Sequence, residues 1–216
     1  RAGGYSTLVF GPGEPHIAHP DNPVSRTPGA PRRTLAAFAH FTDVHLIDAQ
    51  SPARVEFLDR LADGPCGSVP FQSAWRPQET LTTQVLTAMV RAVNDVQARR
   101  IAAGEVPLAF AIATGDNCDN QQANELGWFI AGLDGGAVSP NSGGPAYEGV
   151  QSPDWADVAY WIPAGRIPDR YKTVHGFPAE DAWGFDPDGL LRTATSAFDA
   201  PALAMPWYVA YGNHDG

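Results

Sequence analysis

The run Pro107-Leu-Ala-Phe-Ala-Ile-Ala-Thr114, followed directly by Gly115-Asp-Asn-Cys-Asp119, decides how this chain folds. A nearly unbroken apolar stretch of strand length marks a strand covered on both faces, as in a parallel sheet with helices packed against it. Gly115 frees the backbone to turn at the strand end. The Asp116 carboxylate can then be aimed at the carboxyl edge of the sheet, where α/β proteins build their sites.

Upstream, Leu81, Val85, Leu86, Met89, Val90, Val93 and Val96 recur at helical spacing, which predicts a helix over about Glu79 to Ala103 with Gly104 as its C-terminal cap. Before it, Leu35 to Phe41 predicts a short buried strand that delivers Asp43 and His45. Strand, helix, strand in that order implies a right-handed parallel crossover. Downstream, a helix is predicted over Gln121 to Gly132 with Leu126, Phe129, Ile130 and Leu133 inward. Pro206 to Tyr211 reads as a third strand, ending at Gly212-Asn213-His214-Asp215. The fold class is α/β. Residues 1–33, rich in Gly, Pro and His, read as an extended N-terminal arm, and residues 34–216 as the domain itself. That domain carries one insertion at 46–78, where Ala53 to Leu61 has the spacing of a short helix, and a long irregular one at 135–206.

A chain of 216 residues, 44% hydrophobic, can bury a substantial core. Its net charge of -10 offers nucleic acid no electrostatic attraction, so a nucleic-acid partner is disfavoured. No stretch approaches the roughly 20 apolar residues that cross a bilayer, so no membrane segment is expected. The compartment stays open between the cytoplasm and export with the signal removed. Cys66 and Cys118 are too few for a disulfide framework and read as two thiols.

Three polar segments each follow a strand: Asp43-Val44-His45, Gly115 to Asp119, and Gly212 to Asp215. Asp, His and Asn are donors that hard and borderline divalent ions accept. Hydrolysis of a phosphate ester needs an activated water and neutralised phosphoryl oxygens, which two ions about 3.5–4 Å apart supply when a carboxylate bridges them. Asp116 is the expected bridge. Asp43 and His45, two apart and so on one side of extended backbone, complete one ion, and Asn213 gives its side-chain oxygen to the second. His214 is assigned to the substrate, as proton donor to the leaving oxygen, with Asp215 holding it; Asp119 is expected to support the loop or a histidine.

In this order the segments resemble the signature D-x-H, G-D-x-x-D, G-N-H-D/E of the calcineurin-like metallophosphoesterase superfamily. Asp48-Ala-Gln-Ser-Pro-Ala-Arg54 and Thr114 to Asn120 are similar to a bacterial subgroup whose members mostly lack assigned substrates. The resemblance covers the N-terminal portion of that domain. It implies a calcineurin-like four-layer αββα sandwich, two divalent metal ions drawn from Mn, Fe and Zn, and hydrolysis of a small phosphomonoester or phosphodiester. It also implies a lone His and a G-H-x-H segment after the G-N-H-D block, whereas His16, His19, His40 and His175 all precede that block. The expectation is a segment of a longer enzyme, weak or inactive by itself. The alternative is a non-catalytic relic of the fold with an interaction role. No Ser/His/Asp pattern or Gly-rich phosphate loop supports a metal-independent enzyme.

Within 135–206, Tyr147, Trp155, Tyr160, Trp161, Tyr171, Phe177, Trp183 and Phe185 have two readings. They form a wall that selects the organic part of a substrate, or they pin a long loop to the core. Arg166 and Arg170 are candidate phosphate contacts from the same segment.

Overall fold

Three apolar strands pair in parallel, as their patterns require. In a computed structural model of the chain, which describes residues 33–50, 77–152, 154, 160, 162–163 and 189–216, these are β1 (Ala37–Phe41), β2 (Leu108–Ala113) and β5 (Trp207–Val209), in the order β1-β2-β5. The crossover from β1 to β2 runs through a 3₁₀ turn at Pro77–Leu81 and α1 (Thr82–Ala102). After β2 come α2 (Ala123–Asp134), β3 (Gly136–Val138), α3 (Leu190–Thr195) and β4 (Phe198–Ala200), the last pairing antiparallel with β3. The architecture is mixed α/β, and every one of these elements lies in one compact unit, Ala36–Gly216. No helix among the described residues is long and apolar enough to cross a membrane.

The end of α1 follows from its sequence. Gly104 takes φ +67, Glu105 N–H reaches the Arg100 carbonyl at 2.9 Å, and Gly104 N–H reaches that of Ile101 at 3.0 Å. This is the paired closure that glycine permits after a helix. Its buried stripe is narrower than expected: Thr83, Leu86, Thr87, Val90 and Gln97 face inward, while Val85 and Val96 are exposed. Gln97 exchanges two hydrogen bonds with the Leu108 backbone, at 2.7 and 3.0 Å, and so satisfies the start of β2. On α2, Phe129 and Leu133 are buried as predicted, but Leu126 and Ile130 are exposed. The two helices meet at Gly132, where an added Cβ would fall 2.6 Å from Leu86 Cδ2.

Phe41, Ala111 and Ala113 join Leu86, Val90, Phe129 and Leu133 in the core. The expectation of strands covered on both faces is corrected. Phe38 is 54% and Tyr208 60% exposed; with Phe110 they form a row across the other face, Phe38 stacked on Phe110 at 5.2 Å and Phe110 edge-on to Tyr208 at 5.8 Å. Small residues lie under the helices and aromatics opposite, because neighbouring strand residues alternate sides. The segment 135–206 is corrected too, since it contains β3, α3 and β4. Tyr160 is buried beside Leu190, and the Tyr147 hydroxyl donates to the Ala49 carbonyl at 3.0 Å, so these two act as pins. The arm up to residue 32, the Ala53–Leu61 helix, Cys66, Trp155, Trp161, Tyr171, Phe177, Trp183, Phe185, Arg166 and Arg170 lie outside the described residues.

A buried polar joint ties the chain after β1 to the start of α2. Glu125, fully buried, accepts the N–H of Asp48 at 2.7 Å and both the N–H and Nδ2 of Asn120 at 2.9 Å. Asp48, also buried, accepts Asn124 Nδ2 at 2.7 Å. Burial holds the Glu125 carboxyl above its usual range against the pull of those donors. Its contribution to stability is therefore full below the ordinary glutamate range and is lost as pH rises through the raised value. Glu125→Ala strands three donors. It is expected to lower the urea-unfolding free energy by about 3 kcal/mol, and a loss below about 1 kcal/mol would show that water replaces the carboxylate.

Candidate metal centre

Three loop tips leave the carboxyl ends of β1, β2 and β5 and are fastened to one another. The first two are laced by backbone: Asp43 N–H to Gly115 O at 3.2 Å, His45 N–H to Asp116 O at 2.8 Å, Leu46 N–H to Asn117 O at 3.0 Å, and Asp119 N–H to Leu46 O at 3.0 Å. Asp43, His45 and Asp116 adopt φ of 51°, 45° and 51°. Asp43 and His45 therefore share a side through left-handed backbone, not through the extended spacing expected of them.

The second and third tips are joined by close approach and by a carboxylate. A Cβ on Gly115 would fall 2.6 Å from Gly212 N, and one on Gly212 would overlap the Asp116 carboxylate and amide. Glycine is required at both. Asp215 accepts N–H groups from Asn117 at 2.8 Å, Cys118 at 2.9 Å and Gly212 at 2.8 Å, and Asn117 Nδ2 at 3.0 Å. Burial raises the Asp215 carboxyl, but these donors outweigh it and hold it below the usual range. Cys118, a free buried thiol behind the second tip, is pushed up to about 12 by burial first and then by the charges of Glu125 and Asp215. It stays a protonated core residue.

Within this frame His45, Asp116 and His214 come together, one ligand atom from each lying within 4.8 Å of the others. Asp116 Oδ1 accepts the His214 N–H at 2.9 Å, while Oδ2 stands 3.9 Å from His45 Nε2. Asp43 Oδ1 is 3.7 Å from the same nitrogen, and Asp43 also accepts the Thr42 hydroxyl. Asp119 Oδ1 is hydrogen-bonded to Nδ1 of His45 at 2.8 Å and stands 3.2 Å from Nδ1 of His214. Asp119, not Asp215, therefore steadies His214; the Asp215 oxygens are turned to backbone donors instead. Asn213 is exposed on the third tip, between two residues tied to the frame. His40 sits outside the cluster, bonded to Thr114 Oγ1 at 2.7 Å.

Two imidazoles with adjacent carboxylates form a donor set suited to a borderline divalent ion. The joint between Asp48 and the start of α2, behind the first tip, has no signal in the sequence, because Asp48 lies more than seventy residues from Asn124 and Glu125. Comparison of the chain with family models, with curated proteins and with solved structures finds no match in any of the three.

Because the Asp215 carboxyl is held low, its stabilising contribution is present above the ordinary aspartate range and disappears as pH falls through the depressed value. Asp215→Asn is expected to cost about 2 kcal/mol at pH 7 and to flatten the acid limb of the stability profile. An unchanged acid limb in urea titrations across that range would assign the limb to other carboxylates.

Proposed function

We propose that this chain carries the site of a binuclear metal-dependent phosphoesterase, acting on a small phosphomonoester or phosphodiester. The single observation that supports it most is the convergence of His45, Asp116 and His214 at the tips after three parallel strands, with one carboxylate behind both rings. On this reading the sheet and its helices are part of a calcineurin-like αββα sandwich. Asp43, His45, Asp116 and Asn213 would hold two divalent ions, of Mn, Fe or Zn. Such ions supply an activated water and neutralise phosphoryl charge.

The chain's own residues then have separable tasks. Asp116, with Oδ1 occupied by the His214 amide, keeps Oδ2 toward the first tip and so fixes the spacing between tips. His214, steadied at Nδ1 by Asp119, offers Nε2 to hold or donate a proton at the leaving oxygen. The surplus of negative charge favours small esters over nucleic acid.

Hydrolysis of 4-nitrophenyl phosphate and its bis-aryl diester, with Mn(II), Fe(II) or Zn(II) added, tests this. Weak ion-dependent turnover is expected, abolished by chelator and reduced to background in Asp116→Asn. A chain with neither ion uptake nor turnover lacks this activity by itself, the outcome that the fold-relic and inactive-segment readings both expect.

A further inference from the structure

Asp119 Oδ1 lies 2.8 Å from Nδ1 of His45, within hydrogen-bond distance, and 3.2 Å from Nδ1 of His214. An imidazole that donates an Nδ1–H hydrogen bond to a carboxylate keeps its lone pair at Nε2, the form in which histidine ligates a metal. A ring whose Nδ1 faces a carboxylate in this way has Nε2 as its ligating nitrogen, and the two rings share that single anchor with centroids 4.6 Å apart and planes at 88°. Their candidate ligand atoms and that of Asp116 lie within 4.8 Å of one another. Around an ion with bonds of about 2.0–2.2 Å, neighbouring donors sit about 3–3.5 Å apart, so a closure on the order of 1 Å forms the site. Asp43 is 61% exposed and stands outside this group, and Asn213 is exposed as well.

We propose that the first divalent ion taken up by the substrate-free chain is bound by His45, Asp116 and His214, with Asp119 as the positioning residue for both rings. The inference rests on the metal-dependent reading above and changes the part of His214 in it. A nitrogen whose lone pair is on an ion carries no proton, so His214 cannot be ligand and acid in the same state.

Co(II) titrated into the whole 216-residue chain, followed by ligand-field absorption and equilibrium dialysis, tests the proposal. One tight equivalent is expected. His214→Ala should weaken it more than about 10-fold and alter its spectrum, Asp119→Asn should weaken it about 10–100-fold, and His40→Ala, at a histidine outside the cluster, should leave it unchanged. Circular-dichroism melts confirm that each variant folds. Independently of any variant, one equivalent of Zn(II) should shift the Nε2 resonances of both His45 and His214 in imidazole ¹⁵N spectra. Unchanged Co(II) binding in His214→Ala, or a Zn(II) shift confined to His45, overturns the proposal and leaves metal-dependent hydrolysis standing. A wild-type chain that takes up no Co(II) overturns both.

Discussion

Asp43, His45 and Asp116 all hold positive φ, a region that residues with side chains ordinarily avoid. Such backbone costs about 1–3 kcal/mol per residue and survives only where its surroundings over-determine it. Here the surroundings are the four backbone hydrogen bonds between the first two tips, sealed below by the buried pair Leu46 and Cys118. The strain is local, while its compensation comes from a sheet and core assembled across the whole domain. Side-chain direction at the site is therefore a property of the fold rather than of the loops.

Four carboxylates divide the work of holding this arrangement. Glu125 and Asp48 lock the first tip to α2, Asp215 clamps the third tip to the second, and Asp119 orients two rings. Each is satisfied mainly by N–H donors, which is why so much negative charge can be gathered at one sheet edge of a chain already at -10. The same gathering creates a field that favours a cation among the tips.

Much of the fold could be read from local pattern. The Leu108–Ala113 strand, the helix ending at Gly104 and the strand before Gly212 have periods and stops that need no distant partner to interpret. The convergence of the three tips was equally legible, since parallel strands bring their carboxyl ends to one edge. The illegible parts depend on pairing at a distance. Strand β3 is three residues long and gains its identity only from β4, some sixty residues later. Leu126 and Ile130 have the spacing of an inward face, yet Phe129 is the residue buried in the core and Gly132 the one against Leu86 of α1, and periodicity cannot choose between adjacent stripes. The exchange of Asp215 for Asp119 as the support of His214 has a similar cause. Adjacency in sequence favours Asp215, but a tight turn directs its oxygens to backbone donors.

The aromatic row formed by Phe38, Phe110 and Tyr208 has a colloidal consequence. It presents an apolar strip to water on a molecule whose excess anionic charge keeps copies apart. That repulsion reaches about 10 Å at 0.1 M salt and only about 3 Å at 1 M. Ionic strength therefore sets the range over which charge holds two such strips apart.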